Sequence, residues 1–497
     1  MSTHYDYLII GGGTAGAIVA ARLAARRDLR VALIEAGPSD EHNPEVLHLR
    51  HWTKLLGGDL DYNYAIEPQP RGNSQIRHAR ARMLGGCSSH NACIAFVPPA
   101  SDFTRWVAAG AEGWGAENVL PFFARLQEKV HLEQAQPVNA CNRALVEAAQ
   151  QAGFSLQRFN HEPLRAGVGW FDLNKRGELR HSSSVAYLHP LSQWGERLRI
   201  YTNTPVLRLL LDQTLSAIGV ETASGPLYGD RELILCAGAF ESPKLLMLSG
   251  IGPADHLRQM DIPVRIDRPG VGQHLLDHPE CPVLYEAAQP VPPESTQGWE
   301  VGLFARVEPG GDEPDLMFHF GSELADLNTL PQGYPTARNG FSLVPNVMRP
   351  RGQGLLRLRA ADPTAPPRLD FRYFNDPAGY DESILVTGIK LARVIVAQPA
   401  LQSWVRRELA PGAGVQSETA LSTYARQCAN TVQHPAGTCK MGASTDPLAV
   451  VDARLRVYGV QRLRVADASI FPTLPGVNPN LTCMMVGERC ADFLLQG

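Results

Sequence analysis

The first apolar run of the chain, YLII at residues 7–10, is short enough for a buried strand and breaks off into GGGTAG at 11–16. An alanine-rich stretch to about Arg26 reads as a helix, and residues 30–34 read as a second strand ending at Glu35. From about 122 to 171 the pattern turns polar with helical spacing. Residues 180–187 read as a turn and a helix start, and 198–211 alternate well enough for paired strands. Between Pro282 and about Pro411 strand-like runs at 314–320, 340–344 and 354–359 alternate with Pro- and Gly-rich turns. That pattern predicts an antiparallel sheet, with helices over 381–396 and 417–428. A strand at 463–465 and a final apolar helix after Asn478 complete the reading.

Length and composition narrow the class. At 497 residues the chain exceeds one ordinary core and fits two domains, one interrupting the other. Hydrophobic residues at 44% and charged residues at 19% describe a globular chain. The net charge of −4 comes without a basic block or an acidic tail. Nucleic acid and anionic membrane are thereby disfavoured as partners, and a small molecule is expected. Nine cysteines without paired spacing fit a reducing compartment rather than a disulfide framework. The first strand leads straight into glycines, and no apolar run approaches the roughly 18 residues of a membrane helix. A cytoplasmic protein without membrane insertion is expected, and a homodimer is compatible with it.

The order strand, glycine loop, helix, strand lends the loop its chemistry. In a dinucleotide site Gly11 permits the tight turn, Gly13 lets backbone approach a pyrophosphate, and Gly16 lets helix pack on strand. Thr14 and Ala15 lead into the helix, whose N–H groups and positive dipole end suit phosphate. Glu35 is placed for a ribose hydroxyl pair, which favours FAD or NAD over NADP. Residues 77–93 read RHARARMLGGCSSHNAC. Their Gly85-Gly86 pair, with Cys87, Ser88, Ser89 and Asn91, offers a loop able to lie flat on a polar ring or pyrophosphate. Taken alone, the same stretch also reads as a glycine turn capping a helix from about residue 91. Near the C-terminus, HPAGT sets His434 in a Pro- and Gly-containing turn, and NPN sets Asn478 in a second. No metal-ligand set is assigned.

Five segments together carry a family likeness: the fingerprint, the LGGCSSHN loop, CAGAFESPKLLMLSGIGP at 236–253, RPGVGQHLLDH at 268–278, and HPAGT with NPN. In this order they resemble the motifs of the glucose–methanol–choline (GMC) oxidoreductases, FAD-dependent alcohol oxidases and dehydrogenases, over essentially the whole chain. The resemblance implies an α/β fold with a Rossmann-like FAD-binding domain from 1–150, 195–281 and 429–497. An α+β substrate domain from 151–194 and 282–428, built on an antiparallel sheet, is interleaved with it. To the fingerprint residues and Glu35 it adds Gly85, Ser89, Asn91 and Ala92 as FAD contacts, and Val206 at the adenine end. Asp467, Ala468, Asn478 and Pro479 fall near the flavin. His90 falls where the choline-oxidising branch of the family joins a histidine covalently to the 8α-methyl of FAD. Its alternative is an uncharged loop histidine hydrogen-bonded to backbone.

Alcohol oxidation needs a base for the hydroxyl proton and an acceptor for the hydride. The resemblance makes His434 the base and Asn478 the second hydrogen bond to the substrate oxygen. It implies oxidation of a primary alcohol, choline-like or another amino alcohol, to the aldehyde, with oxygen reduced to hydrogen peroxide. A dehydrogenase using a quinone, an oxidase of amino sugars or of aryl or furanic alcohols, and a hydroxynitrile lyase are the alternatives. In the same branch Glu300 faces a trimethylammonium group and Trp52 is an aromatic of its cage, with Phe341 lining the cavity. A carboxylate with aromatic faces suits such a cation. Trp52 and Phe341 also fit plain core packing, and Glu300 a surface strand. Two departures stand out: Gln433, assigned to the substrate wall, replaces an expected tyrosine, and Ala92 an expected serine. The wall is therefore less aromatic, and choline itself is not assigned.

Overall fold

The N-terminal apolar run becomes β1 (His4–Ile10) in a computed structural model that describes residues 3–191, 197–308, 310 and 313–496. Helix α1 (Gly16–Ala24) and strand β2 (Val31–Ile34) follow. The polar stretch holds α2 (Ala116–Lys129) and α3 (Ala140–Gln151), but its helix stops there. Residues expected as helix near its end form strand β3 (Gly167–Trp170), whose alternate glycines admit no helical face. Next come β4 (Leu198–Tyr201), β5 (Val206–Leu211), β6 (Ala217–Thr222) and β7 (Gly225–Leu235). They are followed by β8 (Pro279–Glu280), β9 (Val283–Ala287), β10 (Val301–Ala305), β11 (Leu316–Gly321) and β12 (Gly340–Val347). Helix α4 (Tyr380–Val396), β13 (Val405–Ala410) and helix α5 (Glu418–Gln427) complete that segment. The last elements are β14 (Asn430–Thr431), β15 (Leu463–Val465) and α6 (Asn480–Gln496).

Among the described residues, seven strands form one sheet in the order β4-β2-β1-β7-β6-β5, with β15 beside the C-terminal end of β7. Its centre is parallel: β1 pairs with β2 and β7, β4 with β2, and β15 with β7. β2 is buried along its whole length, as a strand covered on both faces must be. The pairing expected within 198–211 does not occur. β4 and β5 lie at opposite edges, because β4 extends the parallel order beside β2 while β5 forms a hairpin with β6.

Eight strands among the described residues form a second sheet, β13-β9-β12-β11-β10-β3, with β8 joining β12 to β14. Helices α3 and α4 cover one of its faces. The expected pieces 151–194 and 282–428 supply β3 and β9 to β13. However, α3 from within 1–150 also belongs here, and so do β8 and β14, just outside the expected limits. The 354–359 run joins neither sheet: Leu355–Arg357 pairs with Arg368–Asp370, and Gly354 bridges Leu275. No helix among the described residues is long and apolar enough to cross a membrane.

Two expectations follow for stability. A Cβ on Gly16 would lie 2.0 Å from the Gly11 oxygen, a backbone atom that cannot swing away. Gly16→Ala should cost on the order of 3 kcal/mol and release FAD, while Gly414→Ala, with no atom within 4 Å of its Cβ, should be near neutral in thermal melts. The second concerns Glu280 on β8, whose carboxyl burial pushes up to about 8. A group raised in the folded state holds its proton there while the unfolded chain gives it up, so its contribution is lost as pH rises from about 4.5 to about 8. Glu280→Gln should therefore gain on the native protein by about 1.4 kcal/mol per pH unit across that window. A stability difference that stays constant between pH 5 and 8 would contradict it.

Candidate active site

The fingerprint loop is shaped by what its glycines lack. Gly11 turns with φ +99°, and a Cβ there would sit 2.5 Å from the Cys236 oxygen at the end of β7. A Cβ on Gly16 would meet Gly11 and Cys236, so helix–strand packing accounts for that glycine. Gly13 differs: the nearest heavy atoms to its Cβ position are 3.8 Å away. Protein packing does not demand a glycine there, and the space forms a cradle beside the start of α1. No side chain caps α1 at Ala15; the Ala17 and Ile18 N–H groups donate to the Gly13 and Ala15 carbonyls, and the positive end of the helix dipole suits an anion such as pyrophosphate. Glu35 is buried, accepts the Gly12 and Gly37 N–H groups at 2.8 and 2.9 Å, and is pushed by burial up to about 7. The residues present fit the pyrophosphate and ribose of a dinucleotide.

The second glycine loop lies on the first. Gly85 N–H donates to the Gly12 oxygen at 2.8 Å, and a Cβ on Gly86 would sit 2.7 Å from Gly13 Cα. The segment then makes one 3₁₀ turn, Gly86–Ser89, and continues toward a short strand, so the helix considered from residue 91 does not form. Its polar groups are needed elsewhere. Asn91 Oδ1 accepts the Cys93 N–H, and the buried Arg180 guanidinium donates to the carbonyls of Ser88 and Asn91. Ser89 Oγ donates to Asp40 at 3.0 Å. His90 is buried, with Nε2 3.2 Å from the Leu55 carbonyl and 3.7 Å from Asp61, and burial holds its imidazole down to about 4. Ala92 packs at the edge of a phenylalanine cluster.

His434 and Asn478, far apart in sequence, meet with Asn478 Nδ2 3.5 Å from His434 Nε2. On its other side His434 Nδ1 is 2.9 Å from His278 Nδ1. Burial holds His434 well below the usual imidazole range, and the neighbouring His278, His319 and Arg80 press the same way. His278 and His319 are held down to about 3 and about 4, again by burial first. All three rings are neutral at neutral pH. Three buried polar atoms here have no hydrogen-bond partner: Asn478 Oδ1, His278 Nε2 and His319 Nε2. An unpaired buried polar atom is costly, and Asn478 Oδ1, beside the His434 ring, marks a place for a polar ligand. His278 and His319 were not among the residues singled out from sequence. His319 carried a signal, a lone polar residue in the apolar run LMFHF, and so did His278, in a DHP turn like the HP turn of His434.

Other expected contacts resolve individually. Asp467 is buried and spends its carboxylate on Gly238 N–H, Ser242 Oγ and Ser469 N–H, which ties β7 to β15. The Ala468 carbonyl accepts the Gly437 N–H at 3.1 Å, holding the HPAGT turn. The Pro479 carbonyl accepts the Cys483 N–H in the first turn of α6, and Val206 opens β5 opposite Thr222. Trp52 is half-buried, and its Nε1 donates to the Gln297 carbonyl at 2.9 Å.

Three substrate-wall expectations are corrected. The Glu300 carboxylate accepts from Ser295 Oγ, the Thr296 and Gln297 N–H groups and Asn142 Nδ2, so it closes its own turn against α3 instead of facing a cation. Phe341 stacks on Tyr285 with ring centroids 5.5 Å apart. Strand alternation puts it with Leu343 and Pro345 under α4, whereas Val344 and Asn346 share the other face with His319. Gln433, at φ +67°, turns its amide away to accept the Ala79 N–H and donate to the Arg77 carbonyl. Its side chain is used to hold the strand Arg77–His78.

Comparison with known proteins agrees with this geometry. GMC oxidoreductase family models match residues 5–280 and 350–487. The chain is 47% identical to the choline oxidase of Arthrobacter globiformis, across 99% of this chain and 94% of that protein. It is 35% identical to the mitochondrial choline dehydrogenase of Mus musculus, across 99% and 89%. Among solved structures, pyridoxine 4-oxidase from Mesorbium loti superposes with a TM-score of 0.89 at 30% identity, covering 99% of both chains. With family models spanning both glycine loops and the histidine–asparagine pair, the chain belongs to the GMC oxidoreductase family, and its chemistry is FAD-dependent alcohol oxidation.

Proposed function

We propose that the protein oxidises a primary amino alcohol of the choline class to its aldehyde, with oxygen as the final electron acceptor and hydrogen peroxide as second product. The observation that carries this reading is the half-buried, neutral His434 facing Asn478, whose Oδ1 is unpaired. FAD, when bound, supplies the acceptor for the hydride that leaves the carbinol carbon.

The chain's own part is proton handling. For His434 to act as the base its Nε2 must be free of a proton, which places the ring proton on Nδ1. His278 Nδ1 is then the acceptor of the 2.9 Å contact and His434 Nδ1 its donor. His434 Nε2 keeps its lone pair, turned toward Asn478. A substrate hydroxyl seated between the two would donate to His434 and accept from the Asn478 amide. His434 takes the hydroxyl proton as the hydride departs, and Asn478 fixes the angle at which the oxygen is held.

The substrate class is supported by the two relatives whose names include choline, and by Trp52 as an aromatic face. With Glu300 and Gln433 engaged internally, the reading extends to amino alcohols other than choline. His90 suits a covalent tether by its own chemistry: it is neutral, and with Nε2 directed to the Leu55 carbonyl its Nδ1 keeps a lone pair.

An oxygen electrode with choline and related amino alcohols should record oxygen uptake matched by peroxide. Dye reduction without oxygen uptake would instead favour a dehydrogenase, the reading to which the mouse relative points. His434→Ala should lower kcat by about 10²–10⁴-fold and Asn478→Ala by a smaller factor, with FAD still bound. Full turnover in His434→Ala would rule out the assigned base. Acid precipitation should leave a yellow pellet, turned colourless by His90→Ala; a colourless pellet from the native protein would dismiss the tether.

A further inference from the structure

The carboxylate next to His278 is committed to the segment that carries His434. Asp277 is buried, and its Oδ1 accepts the His434 backbone N–H at 3.0 Å. Its Oδ2 accepts Thr431 Oγ at 2.5 Å and the Tyr373 hydroxyl at 2.6 Å. Tyr373 is fixed in turn, with His78 Nε2 3.1 Å from its hydroxyl and Phe371 stacked between the two rings at 5.1 and 4.2 Å. Backbone bonds brace the same place: Leu276 and Ala436 exchange both N–H bonds at 3.0 Å, and Val432 N–H donates to the His278 carbonyl at 3.1 Å. The Asp277-His278 dipeptide thus grips His434 twice, at its backbone through the carboxylate and at its ring through His278 Nδ1.

We propose that Asp277 is a positioning residue for the alcohol oxidation: its carboxylate, set by Tyr373 and Thr431, fixes the His434 backbone so that Nε2 meets the substrate hydroxyl. This rests on reading His434 as the base. The carboxylate is the anionic member of a site whose other charged or chargeable neighbours of His434, namely His278, His319 and Arg80, all oppose an imidazolium. Asp277 itself is raised to about 6 by burial, so it is ionised at and above neutral pH. A misplacement of about 1 Å in a reacting group is enough for a loss on the order of 100-fold.

The test is a double-mutant cycle on the FAD-loaded enzyme, with choline or the best amino alcohol found by oxygen uptake. Asp277→Asn should lower kcat by about 10- to 100-fold with KM changed less than about twofold. Deuterium uptake over 431–438 should rise as the His434 N–H loses its charged acceptor. Tyr373→Phe, which removes one donor and leaves the carboxylate, should give a smaller fall of the same kind and decides the matter if Asp277→Asn does not fold. In a His434→Ala background neither substitution should lower the residual rate further, since each acts through that ring. Full kcat in either folded variant, or losses that simply multiply with that of His434→Ala, overturns the positioning role. Full turnover in His434→Ala alone would overturn the base instead, which separates the two failures.

Discussion

At the ends of β1 and β7 the backbone of Gly11 runs so close to Cys236 that there is no room for a Cβ on either Gly11 or Gly16. That approach sets the height at which α1 begins and brings the cradle at Gly13 level with the second glycine loop, whose Gly86 rests on Gly13. It also brings the end of β7 beside Asp467, which caps Gly238 and ends β15. Ligands of open parallel sheets collect at the C-terminal ends of strands. Here the ends of β1, β2, β7 and β15 deliver Gly11, Glu35, Cys236 and Asp467 to one edge.

The reacting corner obeys a different constraint. Three imidazoles share it, none with a carboxylate on its ring, and burial keeps all of them uncharged. A proton placed on any of them is expensive, which keeps His434 a free base at rest. The same desolvation strengthens any hydrogen bond made to it during reaction. Only the backbone of His434 touches a carboxylate, so the ring stays neutral while its position is held by a charge.

Much of this was legible in the sequence because it depends on local pattern. Strand, glycine loop, helix and acid follow in register at residues 6–35, and the structure differs only at the ends of those elements. His434 and Asn478 could be named from their turns, although the 3.5 Å between them depends on the whole intervening chain. What was not legible depends on direction. Phe341 lies on a strand buried on both faces, where polarity gives no clue to which face meets a helix. Gln433 sits beside the base in sequence, but a left-handed backbone turns its side chain to another strand. Glu300 carries the right charge, yet its lone pairs go to the turn that precedes it. Arg180 gave no sign of its task, since its partners are carbonyls about 90 residues away.

The order of synthesis bears on one of these features. β15 pairs with residues 233–235 of β7, and α6 crosses the start of α1 so closely that a Cβ on Gly487 would lie 2.7 Å from the Ala15 oxygen. Both come from residues made well after the two strands and the helix that they cover. While the ribosome is still translating the substrate domain, residues 233–235 of β7 lack their neighbour on the side away from β1, and the fingerprint helix lacks the helix that packs on it. An open strand edge invites pairing with another chain. A chain ending before residue 463 lacks both the strand that pairs with residues 233–235 of β7 and the helix that packs on the start of α1, and it carries that open edge into every encounter with another chain.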